Sequence, residues 1–491
     1  MLRRGLLLGA VVVLVMLAAS LAFAVGTLST RPLENTEGCL LFEAARVRAG
    51  LVLYTDPVAG AFDYGPVPAR YYVLYPPLWA FLLSLWPANA APVAGRVLSL
   101  LAWYGVLFWI ARGAYRRRRP LGVLTAVFVG GVYTLTLYGA SARPDALAVA
   151  LAGAALEGLV RAQEASSRGG ALAGLFALAA WLKPNVLGLG AGAMLSLART
   201  PRRALGALFA VVLVSAPIVV VLHLVSRGAF WQHLARATLQ PLCLSQWLEQ
   251  AAFRFQFLAL PILFALGVGI AQRGDAGVRT ATFALASSLA WTLVSAAKVG
   301  STTSYWMEPC LGACVVLAHA PPPSLSPRTK SVLALLVPLQ AVWTGVGSVR
   351  SSVGSIVASP GKARAIEALR RSLRGGSLYL SDDAGIELAL DGRLVDTPFQ
   401  TTALIRAGRF PRELWVADVE RPEIAGAVAS SDILERSLAE VDVAHDRYDV
   451  EMRRVLADEF VFTSREAGFY VYGRRPEPVV ETGSGHSSPG R

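Results

Sequence analysis

Apolar runs long enough to cross a bilayer recur from Leu6 to Val349, and they constrain the fold more than any other feature. A hydrocarbon core of ~30 Å needs about 20 apolar residues in a helix. Inside that core every backbone polar group must be satisfied within its own segment. The runs fall at Leu6–Val25, Pro92–Arg112, Pro120–Ala140, Pro144–Arg161, Gly169–Lys183, Asn185–Ala198, Ala204–Val225, Phe253–Gln272, Thr280–Ala297, Tyr305–His319 and Ser331–Val349. They predict an α-helical polytopic membrane protein with about eleven segments. The two short runs between Gly169 and Ala198 meet at Lys183-Pro184-Asn185 and read as a hairpin that stops short of a full crossing. Composition agrees: only 16% of the residues are charged, against about a quarter in soluble domains.

The first run follows Arg3 and Arg4, a flank that also suits a signal peptide. Its length and the lack of a small-x-small cleavage site favour a retained helix. The net charge of +13 comes from arginine clusters between the runs, as the positive-inside bias requires, and no nucleic-acid partner is expected. Arg3/Arg4, Arg116–Arg119, Arg161/Arg168, Arg199/Arg202/Arg203, Arg273/Arg279 and Arg328/Lys330 all fall on the cytoplasmic side if Tyr75–Trp86 does not cross. That stretch is short and opens on Pro76-Pro77, so it reads as re-entrant or interfacial. The N-terminus is then inside and the C-terminus outside. Ser29–Tyr72, Ser141–Asp145, Lys183–Asn185, Ser226–Arg254 and Lys298–Ser304 share the outer face. Cys39 and Cys243 are both outside and either pair or remain free thiols. Cys310 and Cys314 lie one turn apart in a helix, and no C-x-x-C zinc spacing occurs.

After Arg350 the apolar runs stop. Lys362–Arg374 reads as an amphipathic helix, Ser377–Ser381 as a strand, Ala384–Leu390 and Phe399–Ala407 as helices, and Leu414–Ala417 as a strand. Phe460–Thr463 and Gly468–Tyr472 read as a closing strand pair. The expected division is a membrane domain over 1–350 with an outer loop at 29–78, a small extracytoplasmic α/β domain over 351–475, and a Pro/Gly/Ser-rich tail over 476–491 that reads as disordered.

The outer loop holds the acids. A loop of this length between spans is usually functional. Glu34 and Glu37 precede a helical stripe of Leu40, Ala44, Val47 and Leu51, with Gly50 at its end, a pattern that predicts an amphipathic helix lying on the membrane. A carboxylate at its start suits a general base or a ligand to a divalent cation, and equally an acid in the first turn behind a Thr36 cap. Arg143-Pro144-Asp145 suits a helix start as well as phosphate binding. Lys183 and Lys298 lie on the side that the charge rule disfavours, which favours a functional role over snorkelling. The run from Lys298 to Tyr305 is rich in hydroxyls and suits a phosphate. No triad, phosphate loop or dinucleotide fingerprint occurs.

In this order the pieces resemble the GT-C superfamily of membrane glycosyltransferases, in its protein O-mannosyltransferase and aminoarabinose-transferase-like branch. Thr36-Glu37 stands where relatives have an Asp-Glu pair. The helix to Arg48, Gly50 to Tyr54 with Asp56, Pro76-Pro77-Leu78, Arg143-Pro144-Asp145, Leu182-Lys183 and Lys298 to Tyr305 match the remaining steps. The likeness covers residues 1–350, and the C-terminal domain is similar to one appended in some relatives. It departs at Thr36, which leaves Glu34 or Glu37 to serve as the base and puts any metal site in question.

The resemblance implies a sugar donor on polyprenyl phosphate, bound at the outer edge of a bacterial inner membrane. It also implies an inverting displacement onto a glycan, lipid or protein acceptor. Glu37 and Asp145, with Glu34 as second choice, would carry the catalysis. Arg143, Lys183, Lys298, Tyr305 and Tyr54 would bind the substrate and its phosphate. Two other classes remain from the residues alone: a multi-span transporter or flippase, and a non-catalytic assembly scaffold. The lack of an internal repeat and the heavy outer loops weigh against transport.

Overall fold

The computed structural model describes residues 2–63, 65–165, 169–198, 200–234, 240–321, 326–373, 377–434, 447–466 and 468–476. Arg168, Arg199, Arg374 and the tail 477–491, all part of the reading above, lie outside them.

The chain opens with α1 (Leu2–Gly26), and its outer loop contains α2 (Asn35–Arg48) and α3 (Leu78–Ser84). The helical body follows as α4 (Ala91–Arg116), α5 (Pro120–Gly131), α6 (Tyr133–Gly139), α7 (Asp145–Ala165), α8 (Gly169–Leu182), α9 (Gly188–Leu197) and α10 (Pro201–Val225). It continues through α11 (Ala229–Gln232), α12 (Leu244–Leu248), α13 (Ala259–Ala271), α14 (Ala276–Ala296), α15 (Met307–His319) and α16 (Pro327–Ser372). The C-terminal part contains β1 (Leu378–Ser381), α17 (Ala384–Asp391), α18 (Pro398–Arg406), α19 (Arg412–Val419), β2 (Ile424–Ala429), α20 (Val450–Glu459), β3 (Phe460–Glu466) and β4 (Phe469–Arg474).

The protein is an integral membrane protein of predominantly helical build. Among the described residues, Leu7–Gly26, Ala91–Arg116 and Pro201–Val225 are each long and apolar enough to cross a bilayer, and two bent pairs bring the number to five. The segment expected over Pro120–Ala140 is one of those pairs, bent by 73° between α5 and α6. The break falls at Val132, after Gly130-Gly131. Gly131 lies so close to α1 that a Cβ there would stand 2.9 Å from the Leu17 amide nitrogen. The segment expected over Phe253–Gln272 is the other, bent by 77° where Leu244–Phe257 meets Ala259–Ala271.

Helices α1 and α16 pack in parallel. Gly9 meets Pro338, Val12 meets Gly345 and Phe23 packs with Ile356. The expected boundary at Arg350 falls inside α16, which continues unbroken to Ser372. With ~1.5 Å of rise per residue, its last turns stand well clear of the end of α1.

The C-terminal sheet has the order β1-β2-β4-β3, with β1 parallel to β2 and the other pairs antiparallel. The expected strands at Ser377–Ser381, Phe460–Thr463 and Gly468–Tyr472 are present. Leu414–Ala417 is instead the middle of helix α19. Trp415, Asp418 and Val419 are its buried residues, and their spacing of three and four is that of a helix face.

The outer loop and the C-terminal domain are fastened together. Helix α2 does not lie on the membrane with one exposed face: every residue from Glu37 to Ala44 is buried, because α17 covers the side that water would occupy. A Cβ on Gly38 would stand 2.5 Å from the Ala384 carbonyl, and one on Gly385 2.6 Å from the Leu33 oxygen. The Ala384 amide donates to Asn35 Oδ1 at 3.0 Å, and the Arg70 amide donates to the Val395 carbonyl at 2.8 Å. The Arg70 guanidinium pairs with Asp418. Gly38→Val is therefore expected to push α17 away, at about 1–3 kcal/mol for an overpacked contact, and to speed proteolytic cutting beyond α16. Gly361→Ala, with open space at its Cβ, should leave the cutting rate unchanged; equal rates for the two variants would refute this packing.

Of the two outcomes open to Cys39 and Cys243, pairing does not occur: no disulfide joins any of the four cysteines. Cys39 is buried on α2, and Cys243 Sγ lies 3.0 Å from Ser245 Oγ.

Candidate active site

Helix α6 ends at Gly139, and the turn Ser141–Pro144 delivers Asp145 as the first residue of α7, where the helix dipole favours a carboxylate. Arg143 is almost fully buried. It donates from Nε to Asp145 Oδ2 at 3.0 Å and from Nη1 to Glu34 Oε1 at 2.9 Å. Lys183, just past the end of α8, pairs with the other Asp145 oxygen and donates to Ser304 Oγ at 3.0 Å. Its ammonium lies 4.9 Å from the centre of the Tyr305 ring. Glu34, Arg143, Asp145, Lys183 and Ser304 thus form one continuous polar chain. It joins four of the five segments assigned to the outer face.

Lys298 stands beside this chain. Burial, and then the charge of Lys183, push its ammonium down to about 8. Among the described residues no carboxylate pairs with it. The fifth outer segment is joined here by backbone: Cys243 donates to the Ala297 carbonyl at 2.6 Å and Val299 to the Pro241 carbonyl at 3.0 Å.

Glu37 has a different surrounding from the one a base needs. Arg96, inside the apolar run of α4, grips it with Nε to Oε1 at 3.0 Å and Nη2 to Oε2 at 2.7 Å. The Ala142 amide donates to Oε1 at 2.7 Å and the Glu34 amide to Oε2 at 3.3 Å. The other N–H groups of Arg96 go to the carbonyls of Leu28, Arg31 and Pro32 at 2.9, 2.8 and 3.1 Å. All five donors of that guanidinium are engaged. Burial alone would raise the Glu37 carboxyl, but the bond and charge of Arg96, with Arg31 behind it, hold it at about 2. A group so weakly basic, with both oxygens occupied and no exposed surface, is a poor proton acceptor near neutral pH. Of the two loop acids, Glu34 is the accessible one, with 38% of its side chain exposed.

Tyr54 is placed in the core of the loop rather than against the Asp145–Lys183 pair. It packs edge-on to Phe230 and His233 at 5.1 and 5.4 Å. His233, which the sequence reading did not single out, ties the loop to the segment after α10. Its Nδ1 accepts from the Val73 amide at 3.0 Å and its Nε2 donates to the Thr55 carbonyl at 2.6 Å. That pattern fixes the neutral ring, and burial lowers its pKa to about 4.

The donor set does not suit a divalent cation. The oxygens of Glu37 and Asp145 are taken by Arg96, Arg143, Lys183 and backbone amides. Among the described residues no three His, Cys, Asp or Glu side chains converge.

No family model matches the chain, and no curated protein does either. Among solved structures it is similar to ArnT from Cupriavidus metallidurans in the apo state. That likeness has a TM-score of 0.59 at 13% identity and covers 93% of this chain and 96% of that one. The chain shares the fold of that structure. A second match, to the Archaeoglobus fulgidus oligosaccharyltransferase in complex with Zn and sulfate, has a TM-score of 0.42 at 14% identity, with 94% and 73% covered. The fold of this chain brings the loop after the first helix, the turn before α7, the end of α8 and the start of α15 together at one end of the bundle. Those are the segments that hold Glu34, Asp145, Lys183 and Tyr305.

Proposed function

We propose that the protein transfers a sugar from a polyprenyl-phosphate donor to an acceptor at the outer face of the membrane, in one inverting displacement. Lys298 carries the reading: it is a half-buried cation that meets no carboxylate among the described residues, and it stands beside Lys183. A buried cation left unpaired is costly, and a phosphate would compensate it while the lipid tail stays in the bilayer. An acceptor hydroxyl or amine attacks the anomeric carbon as its proton passes to Glu34. The bond from that carbon to the phosphate oxygen breaks, and the polyprenyl phosphate leaves with the electron pair. Lys298, Lys183 and Arg143 stabilise the charge that develops on it. Asp145 acts through its neighbours: it holds Arg143 and Lys183 in place and keeps their ammonium and guanidinium groups facing the leaving group.

The test is release of polyprenyl phosphate from a panel of labelled polyprenyl-phosphate sugars by the purified protein. Lys298→Met is expected to weaken donor binding by ~10-fold or more through loss of a charge-assisted contact. In the native protein donor binding should also weaken as the pH rises through about 8, where Lys298 loses its charge, and Lys298→Arg should abolish that dependence. Donor carried across the bilayer without cleavage would instead identify a transporter. Neither movement nor cleavage with any donor would identify a scaffold.

A further inference from the structure

Behind Glu34, on the side away from Asp145, a cavity of about 640 Å³ separates the helical body from the C-terminal domain. Its walls are the end of α1, the loop Arg31–Glu34, α6, the part of α16 beyond Gly354, and the C-terminal domain through Asp383, Ser430 and Phe469. The lining includes hydroxyls from Tyr133, Ser141, Ser355, Ser359 and Ser430. Such a space, with several polar groups on apolar walls, is of the size that takes a small ligand.

The balance of charge in it is uneven. Its two acids are already provided for: Glu34 by Arg143 at 2.9 Å, and Asp383 by the Gly385 amide at 2.7 Å. Its two cations are only partly so. Arg31 shares Glu37 with Arg96, its Nη2 standing 3.5 Å from Oε1 and donating to the Ala140 carbonyl at 2.6 Å and to Ser141 Oγ at 3.4 Å, while its buried Nη1 has no hydrogen-bond partner. Lys362 is exposed, and among the described residues it meets no carboxylate. The cavity therefore presents one unpartnered guanidinium nitrogen, the exposed ammonium of Lys362 and a set of hydroxyls, with the Glu34 carboxylate in its wall.

We propose that this cavity is the acceptor site and that it takes an acidic carbohydrate. Arg31 and Lys362 bind the anionic group, the serines and Asp383 bind sugar hydroxyls, and the attacking hydroxyl points at Glu34. The inference rests on Glu34 as the base, and it gives the C-terminal domain the task of selecting the acceptor. Charged recognition of this kind is bidentate from arginine and point-like from lysine, so Arg31 sets the orientation of the anion and Lys362 adds attraction.

The experiment uses the full-length protein in nanodiscs and two fluorescent disaccharides that differ only in a terminal glucuronate or glucose. Their binding is compared for the native protein, Lys362→Met and Ala358→Trp, the last placed to fill the cavity. Native protein should bind the glucuronate probe at least 10-fold tighter than the glucose probe. Lys362→Met should remove most of that preference, and Ala358→Trp should abolish binding of both probes while the protein still melts at its normal temperature. Equal affinity for the two probes, or binding indifferent to both substitutions, would overturn the proposal. A Glu34→Gln variant separates it from the catalytic reading. If that variant binds the glucuronate probe normally yet keeps full sugar transfer, the base assignment fails and the acceptor site stands.

Discussion

Glu34→Gln should lower sugar transfer by about two to four orders of magnitude, the usual contribution of a positioned general base, while the donor still binds. The amide keeps the size of the side chain and can still contact Arg143, so the polar chain to Asp145 is retained. Only the basic oxygen is lost. Glu37→Gln should behave in another way. It removes the carboxylate that answers Arg96, so it should lower the amount of folded protein before it lowers turnover per folded molecule. Measuring transfer against folded, donor-binding protein separates the two effects. If Glu37→Gln lost turnover at full folding and donor binding while Glu34→Gln kept it, the roles given to these two acids would have to be exchanged.

Arg96→Met should be among the most destabilising single changes in the outer half of the protein. It would strand the Glu37 carboxylate in a site with no exposed surface and release three carbonyls of the loop at Leu28, Arg31 and Pro32. Removing one partner of a buried ion pair costs about 3–5 kcal/mol. Arg96→Lys should recover little, because an ammonium cannot reproduce the two parallel bonds to one carboxylate. The double change Arg96→Met with Glu37→Met should recover part of the loss, since replacing both members by apolar groups removes the buried charge. Thermal unfolding of the three variants in detergent checks this order; a wild-type melting curve for Arg96→Met would refute it.

The parts that sequence made legible are those set by short range. Spans show as apolar runs, and the Arg143–Asp145 turn shows because proline and an acid mark a helix start. The strand pair at the C-terminus shows through aromatic and β-branched residues at Phe460–Thr463 and Phe469–Tyr472. The parts that were hidden depend on partners far along the chain. Arg96 is one charge in an apolar run, and its partner Glu37 lies 59 residues away; an arginine in the early turns of an apolar helix was the available signal. Strand β2, Ile424-Ala-Gly-Ala-Val-Ala429, is poor in β-formers and takes its conformation from pairing with both β1 and β4. Helix α2 resembled a surface helix because nothing in its own residues announces that α17 will cover its other side. The same holds for the two loop acids: spacing placed both at one helix start, but only the packing of α4 decides which is sealed and which stays open.

The parallel pairing of α1 with α16 has a consequence for the order of assembly. The loop bearing Glu34 leaves the ribosome early, whereas α16 and the domain it raises over that loop come last. Until then the loop has no roof, α2 lacks the cover of α17, and the cavity beside Glu34 has only the walls supplied by the end of α1, its own loop and α6. A nascent chain that ends between α15 and α16 already contains Arg143, Lys183 and Lys298 but lacks two of the cavity's walls. Closure of that cavity therefore waits for α16 and the domain that follows it.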